Sequence, residues 1–315
     1  MFGQNFLFVS FVVGLLFVLV PWLSDILCIF REQLFRNESS TMKRLCVFIH
    51  YGKTTVLPYS VVRYIDELIP YFDEVALIYN ERTLSMEPER WGPKVQWIPS
   101  PNVGYDFGHF YRYYKNLDVS NYEQIALVND SNILVRPLQP VFAWSLENVP
   151  DFWGLIDSEE KPWFSTHENN HHLQSHFIVW NKKALSALGD FFSTLDIEAI
   201  QNETNPKKLR RLVIDQWEIG LSRFLFGRGL TGASFICSRA FLSRHHGKEK
   251  VNPAHVFFSE LLDEGYPVLK KKILFKKPGF GSFRKEKKWE SLLRKYMPSD
   301  WDPERTIDEL KKEKP

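Results

Sequence analysis

An acidic corner follows a strongly apolar run in the middle of the chain. The run covers residues 125–128, and Asn129, Asp130 and Ser131 come directly after it. Four consecutive apolar residues are typical of a strand covered on both faces, as in a parallel sheet. Ligands of such sheets bind outside the carboxyl ends of the strands. Asp130 is therefore a candidate for a carboxylate that contacts a ligand, with a simple strand end as the alternative.

A second acidic pair lies further along the chain. Asp215 and Glu218 stand near the start of a helix predicted for residues 213–226, with glycines beyond its end. Their spacing places both carboxylates near the same face of that helix. A carboxylate so placed is a candidate general base. The alternative is a favourable interaction with the helix dipole, which contributes only ~0.3–1 kcal/mol.

The loop after the predicted third strand, 95–98, also suits a binding site. It contains Asn102, Gly104 and Asp106. Glycine allows a positive φ or a close approach of the backbone to a ligand. Asp106 stands where the N-cap of the next helix is expected, so capping and ligand binding are both open for it.

Strands and helices alternate in a way that would position these loops. A strand at 45–49 ends at His50 and is followed by Lys53, which is either a phosphate contact or a solvated lysine. A helix is predicted over 58–71 and a second strand over 74–79. This order favours β-α-β crossovers and a mostly parallel, doubly wound α/β sheet. A nucleotide is a frequent ligand of such a sheet.

Composition narrows the class of protein. The chain has 315 residues, 44% of them hydrophobic and 25% charged, and its net charge of +2 is too small to predict a nucleic-acid partner. The three cysteines are few and widely spaced, which argues against a disulfide framework and against a zinc site. Four neighbouring histidines have no cysteine beside them, so zinc is a minor alternative; they are His167, His171, His172 and His176.

The first residues of the chain predict a membrane anchor. Residues 6–23 carry no charge and are about long enough to cross a bilayer once. A cleaved signal peptide is the alternative, but no basic residue precedes the run. Basic residues follow it, which predicts a single-pass protein with a cytoplasmic domain. We assign 1–24 to the anchor, 25–43 to an interfacial helix and linker, 44–278 to the main domain and 279–315 to a basic, charged tail.

Five motifs, in this order, resemble the rhamnan synthesis F family. They are the segments 102–108, 128–131, 152–155, 172–177 and 252–262. The resemblance covers residues 45–278, nearly all of the predicted main domain. It implies a GT-A-like glycosyltransferase that acts in the assembly of a cell-surface polysaccharide, with rhamnose from a dTDP donor as one sugar it suggests.

The resemblance also implies roles for individual residues. An acidic motif at the end of a central strand holds a divalent metal in GT-A enzymes, which implies Mg²⁺ or Mn²⁺ bound by Asp130 and His255, although this corner has one carboxylate where two are usual. A packed surface histidine is the alternative for His255. Glu218 is the preferred base and Asp215 the next, and a retaining enzyme would need neither. The expected donor contacts are His50, Lys53, Asn102, Gly104, Asp106 and Asn129.

The expected partners are a nucleotide-sugar donor, a glycan or lipid-linked acceptor, and the membrane. A catalytically silent glycan-binding or scaffolding subunit of a polysaccharide assembly complex is the main alternative, because Asp130 stands alone. A hydrolase or nucleotidyltransferase would keep the sheet, but the sequence has no nucleophile or phosphate-loop motif for one.

Overall fold

The computed structural model describes residues 42–52, 55–80, 90–247, 251–274 and 288–313. The strands are β1 Lys43–His50, β2 Glu74–Asn80, β3 Val95–Ser100, β4 Tyr122–Asn129, β5 Asn132–Leu134, β6 Phe152–Ser158, β7 His172–Leu173, β8 Phe177–Asn181, β9 Gly232–Ile236 and β10 Val268–Lys270. The helices up to residue 212 are α1 Tyr59–Leu68, α2 Tyr105–Tyr114, α3 Gln139–Asn148, α4 Lys182–Ser193, α5 Ile197–Asn202 and α6 Pro206–Leu212. The later ones are the π-helix Val213–Ile219, then α7 Gly220–Gly227, α8 Ser238–Arg244, α9 Pro253–Val256, α10 Phe258–Asp263, α11 Lys271–Leu274, α12 Lys288–Tyr296 and α13 Pro303–Glu313.

The main sheet has parallel and antiparallel parts. Its strand order is β3-β2-β1-β4-β8-β6-β7, and β9 also pairs with β6. β1 to β4 are parallel to one another, whereas β8 is antiparallel to both β4 and β6. β6 therefore runs in the same direction as β4, and β9 is parallel to β6. The carboxyl ends of β1, β2, β3, β4, β6 and β9 all lie along one edge, which we call the carboxyl edge.

The predicted α/β class is confirmed, but the sheet is mixed rather than mostly parallel. The reason lies in β8, whose residues are buried from Phe177 to Trp180. A continuously apolar run fits a buried strand in either direction, so its sequence does not report the antiparallel pairing. β7 and β8 are separate strands, because residues 174–176 turn between them.

Both faces of the sheet are covered. Along β1, Cys46 and Phe48 belong to one apolar core, while Val47 and Ile49 belong to the core on the opposite face. The alternation follows from the two-residue period of a strand. One face of α1 packs in the first core, and α2 and α4 pack in the second. The central strands are thus rigidly held, which fixes the residues at their carboxyl ends.

A smaller unit adjoins the acidic corner. β5 pairs with β10 in a separate antiparallel ribbon. Apolar residues of this ribbon, Ile133 and Leu269, share a third core with Leu293 of α12 and Ile307 of α13. The segment 279–315 was assigned to a charged tail outside the main domain. Its described part, 288–313, instead contributes two amphipathic helices with buried apolar faces.

The predicted anchor, 1–24, and nearly all of the predicted interfacial segment, 25–43, lie outside the described residues. In the part of the chain that the structure describes, no helix combines the length and the hydropathy needed to cross a membrane.

Candidate active site

Asp130 lies at the carboxyl end of β4 and is held there by β1. Its N–H donates to the carbonyl of Ile49 at 3.2 Å, and its side chain is almost fully buried. His50 Nδ1 lies 2.8 Å from Asp130 Oδ2. Because an ionised carboxylate only accepts, the proton of the imidazole is on Nδ1. A Cβ on Gly52 would lie 2.4 Å from His50 Nε2, so a glycine is needed for the chain to pass this ring.

Lys271 reaches the same carboxylate from a distant part of the sequence. The β5–β10 pairing places Lys270 opposite Asn132, and the N–H of Lys271 donates to the Ser131 carbonyl at 2.9 Å. Lys271 Nζ then lies 3.4 Å from Asp130 Oδ2 and 3.5 Å from Glu313 Oε2. The ribbon thus delivers an ammonium to the acidic corner.

The charge of Asp130 is fixed by these neighbours. Burial raises the pKa of its carboxyl, but Lys271 and His50 outweigh burial and hold the pKa at about 2. Burial likewise lowers the pKa of Lys271, and the charges of Asp130 and Glu313 more than reverse that effect. Both groups are therefore ionised at neutral pH.

Asp106 faces the same corner from the start of α2. The N-cap of α2 is Gly104, with a φ of 80°, so the interpretation of Asp106 as the N-cap is wrong. A glycine takes this left-handed conformation without a steric penalty. The side chain of Asp106 instead accepts a hydrogen bond from Asn129 Nδ2 at 2.7 Å. The other side-chain atom of Asn129, Oδ1, accepts from Ser131 and closes the turn after β4.

Three carboxyl groups influence one another here. Burial raises the pKa of Asp106 to about 7, with the negative charges of Asp130 and Glu218 adding to the shift. An acid with this pKa is half protonated at neutral pH, and its charge responds to whatever anion or cation enters the site.

Glu218 belongs to the π-helix rather than to a regular α-helix. Its Oε1 accepts hydrogen bonds from the N–H of Ser175 at 3.0 Å and from the Ser175 hydroxyl at 3.1 Å. Both bonds end on Oε1, so neither of them occupies Oε2. π-helical turns are rare and occur frequently at functional sites.

Asp215, predicted as the second candidate base, is used differently. Its two carboxylate oxygens accept from the N–H of Thr166 at 3.0 Å and from the Thr166 hydroxyl at 2.7 Å. Its backbone carbonyl lies 3.0 Å from His167 Nε2. These contacts fasten the loop after β6 to the π-helix, which favours an anchoring role for Asp215 over proton transfer.

His255 and Lys270 contact each other beside the acidic corner, since Lys270 directly precedes Lys271. Lys270 Nζ donates to Gln174 Oε1 at 2.8 Å and lies 3.2 Å from His255 Nε2. Burial lowers the pKa of Lys270 to about 8, while Glu218 acts in the opposite direction. Asn252 supports this arrangement, because its Oδ1 accepts from Gln174 and caps α9.

The predicted divalent metal does not fit this donor set. Asp130 is already bonded to His50 and paired with Lys271, and His255 contacts the ammonium of Lys270. Mg²⁺ and Mn²⁺ require several oxygen ligands around one point. Within the described ranges, no three His, Cys, Asp or Glu side chains converge in that way. The four histidines of the zinc alternative do not share a partner. His167 contacts the Asp215 carbonyl and His171 the Asp157 carboxylate, while His172 contacts the Asn170 carbonyl and His176 the Tyr266 hydroxyl.

We call Asp106, Asp130, Glu218, Lys270 and Lys271 the edge cluster. Of the other predicted contacts, His50 and Asn129 support its carboxylates directly. Asn102 and Gly104 lie in the loop after β3, which Arg112 holds by donating to the Val103 carbonyl at 2.9 Å. Lys53 lies outside the described residues. The two lysines were not predicted as site residues. Their signal in the sequence is a run of three lysines at 270–272 directly after an apolar strand, within the segment assigned to the main domain.

Comparison with known sequences identifies relatives of the chain. Residues 95–297 match the family described as rhamnan synthesis protein F. The virulence protein VirA of Vibrio anguillarum is 26% identical over 211 residues, which cover 58% of this chain. The chain spans 63% of the length of that relative.

Two solved structures that align with this chain have low sequence identity to it. One is a 4-diphosphocytidyl-2C-methyl-D-erythritol synthase of Anaerococcus prevotii, with a TM-score of 0.37 and 9% identity over 62% of this chain and 89% of that one. Another is the galactosyltransferase LgtC with donor and acceptor sugar analogues, with a TM-score of 0.39 and 11% identity over 82% of this chain and 98% of that one. TM-scores this low do not establish a shared fold, so the family match is the comparison that identifies the chain.

Proposed function

The chain belongs to the rhamnan synthesis protein F family, a family of glycosyltransferase type, and we propose that it transfers a sugar from a nucleotide-sugar donor to a glycan hydroxyl at the edge cluster. The observation that carries this proposal is the meeting of Asp130 and Lys271, which two separate pairings bring together at the carboxyl edge. Charged groups of both signs, held on rigid strands, suit a reaction in which an anion leaves.

In this proposal the two lysines bind the diphosphate of the donor. An ammonium has three N–H donors, and Lys271 directs two of them towards Asp130 and Glu313. The third is available for a phosphate oxygen. An ammonium and a phosphate about 4 Å apart attract each other by about 4 kcal/mol at an effective dielectric constant of about 20. Lys270 and Lys271 can therefore stabilise the charge that the diphosphate gains as it leaves.

Glu218 is the proposed general base. The acceptor hydroxyl attacks the anomeric carbon and loses its proton to the carboxylate, and the bond from that carbon to the diphosphate oxygen breaks as the new glycosidic bond forms. Ser175 orients Glu218 for this step. The products are the extended glycan, inverted at the anomeric carbon, and a nucleoside diphosphate.

The divalent metal, assigned from the resemblance to Asp130 and His255, stays a prediction. The described donor set does not support it, and we propose that the lysines of the edge cluster take over its role in binding charge. The two alternatives differ in one simple respect, because only a metal-dependent enzyme loses activity when a chelator is added.

The donor sugar, the acceptor and the location are proposals as well. The name of the family supports rhamnose as the sugar and a polysaccharide as the product. Residues 6–23, which carry no charge, support a single-pass anchor with the domain on the cytoplasmic side. Digestion of the domain by protease added outside sealed, right-side-out vesicles would contradict that orientation.

The test is turnover of a panel of nucleotide sugars, including dTDP-rhamnose, by the detergent-solubilised full chain with an oligosaccharide acceptor. We expect release of nucleoside diphosphate and extension of the acceptor. Asp130→Asn should reduce both, whereas Asp190→Asn, which changes an exposed aspartate paired only with Arg228 in the described structure, should leave them unchanged. No turnover of any donor, together with no binding of any nucleoside diphosphate, would overturn the proposal in favour of a scaffolding subunit.

A further inference from the structure

A cavity separate from the edge cluster opens at the carboxyl end of β6. Its volume is about 560 Å³, within the usual range of small-ligand sites, and we call it the β6 cavity. Its walls include Asp157 and Glu159 from the end of β6, Asn170 and His171 from the loop before β7, and Cys237 ahead of α8. It uses none of the residues of the edge cluster.

Asn170 stiffens the wall of this cavity. Its side chain is buried, with a relative exposure of 5%. Its Nδ2 donates to the carbonyl of His167 at 2.9 Å. Its Oδ1 is shielded from solvent and accepts no hydrogen bond from any described residue. Asn170 therefore holds the loop that carries His171.

His171 adds an oriented ring to the same wall. Its Nε2 lies 3.0 Å from Asp157 Oδ2, and its ring stacks on Phe226 with centroids 5.3 Å apart. With Nε2 donating to the carboxylate, Nδ1 is the acceptor of the neutral ring. The cavity wall therefore presents an oriented acceptor at His171 together with the carboxylates of Glu159 and Glu168, which suits a ligand with several hydroxyl groups.

The lining of the cavity carries charges of both signs that nearly balance. Asp157, Glu159 and Glu168 are offset in part by Lys161 and Arg239, and Arg239 donates directly to Glu159. An open cavity with this mixture would repel neither sign strongly and would favour a neutral, hydrogen-bonding molecule. This contrasts with the lysines of the edge cluster, which suit a diphosphate.

The loop that lines the cavity also contacts the π-helix that carries the proposed base. The same loop that supplies Asn170 and His171 holds the π-helix through Thr166 and Asp215. Four residues after His171, Ser175 makes both hydrogen bonds to Glu218. A ligand in the cavity would therefore lie against a wall that is continuous with the support of Glu218.

We propose that the β6 cavity binds a neutral pyranoside and, given the proposed transferase function, that this is the acceptor subsite. His171 Nδ1 and the carboxylates of Glu159 and Glu168 accept hydrogen bonds from ligand hydroxyls in this site. The donor diphosphate binds elsewhere, at the edge cluster.

Cys237 provides a reporter for the test, because it is exposed in the cavity wall. The full chain is alkylated with iodoacetamide, and the rate at Cys237 is followed by peptide mass spectrometry. The probes are the methyl glycosides of L-rhamnose, D-glucose and N-acetyl-D-glucosamine, and dTDP alone. We expect at least one glycoside to slow alkylation of Cys237 several-fold and dTDP to leave it unchanged.

A matched pair of variants localises the effect. His171→Phe keeps the stacking on Phe226 but removes the ring nitrogens, and should abolish protection. His245→Phe is the control, because His245 also contacts a carboxylate, Glu264, and also stacks on a phenylalanine, Phe241, outside the cavity. It should leave protection intact.

The wild-type measurement alone can overturn the proposal. If no glycoside slows alkylation, or if dTDP protects as strongly as the glycosides, the β6 cavity is not a saccharide site. This outcome is independent of the proposed function. Protection by a glycoside without turnover of any nucleotide sugar would retain the saccharide site and overturn the transferase instead.

Discussion

Two aspartates at strand ends of the carboxyl edge have opposite surroundings. Asp157 of β6 accepts from the N–H of Ser238 at 2.6 Å, from the Ser234 hydroxyl at 2.9 Å and from His171. These donors come from β9, from the start of α8 and from the loop before β7. Asp157 is therefore a fastening that joins neighbouring elements of the fold.

Asp130 of β4 has few neutral donors and many charges. Its nearest partners are His50 and the ammonium of Lys271, while a weaker contact from the N–H of Tyr51 is 3.4 Å long. The negative charge of Asp130, together with that of Glu218, adds to the raised pKa of Asp106. Burial of an aspartate at a strand end therefore does not by itself indicate a catalytic or binding role. The balance of charge around it separates a structural carboxylate from one placed for a reaction.

The largest effect should come from the proposed base. In Glu218→Gln the side chain keeps an oxygen for Ser175 but cannot take a proton at neutral pH. We expect sugar transfer to fall by roughly 10²–10⁴-fold, with the affinity for nucleoside diphosphate changed little. Steady-state rates and a diphosphate titration on the same preparation would measure both.

Glu123→Gln is the matched control for that experiment, because Glu123 lies near the opposite end of β4. Transfer by Glu218→Gln within a few-fold of wild type would assign the proton transfer to another group of the edge cluster, Asp106 first.

The comparison of the two aspartates predicts different kinds of loss. Asp157→Asn removes a charged acceptor from three donors and should lower the free energy of unfolding by about 1–3 kcal/mol. Asp130→Asn loses its attraction to Lys271 but also relieves repulsion with Asp106, so its effect on stability should be smaller. Urea unfolding of both variants measures this. A larger destabilisation by Asp130→Asn would reverse our distinction between structural and reactive carboxylates.

The smallest effect concerns pH. The pKa of Asp106, about 7, is raised above its ordinary value, so the carboxyl is protonated below that pH and negatively charged above it. Because a bound diphosphate further favours the protonated form, its affinity should weaken as pH rises through about 7. A shift of one pKa unit on binding would give about a tenfold change.

Calorimetric titrations at about one pH unit on each side of that pKa would show the trend. Asp106→Asn should flatten it and bind diphosphate more tightly at the upper end. An unchanged slope in Asp106→Asn would assign the pH dependence to Lys270, whose pKa is lowered to about 8 by burial.

The local features of this site could be predicted from sequence. The buried run of β4 and the polar corner after it are adjacent in the chain, so Asp130 was placed correctly at the carboxyl end of a strand. Helical spacing likewise predicted α1 closely. The direction of β8 could not be predicted, because an apolar run has no polarity along the chain.

The residues that complete the site come from long-range pairing. Lys271 is 141 positions from Asp130 and reaches it only through the β5–β10 ribbon. The π-helical turn that carries Glu218 differs from an α-helix in backbone hydrogen bonding, and its sequence was compatible with both. Capping was one of two roles left open for Asp106, and it is excluded because Gly104, two positions earlier, is the N-cap and has the positive φ. Pairings and backbone geometry of this kind depend on the whole fold.

The central claim is that lysines of the edge cluster bind the donor diphosphate. The most direct measurement is calorimetric titration of dTDP into the full chain in the presence of EDTA, with Lys271→Met as the test variant. Lys183→Met is the control, because Lys183 also pairs with an aspartate, Asp151, at the opposite edge of the sheet. We predict binding to the wild type and to the control in EDTA, and its loss in Lys271→Met. Binding that appears only when Mn²⁺ or Mg²⁺ is supplied, or that survives in Lys271→Met, would contradict the claim.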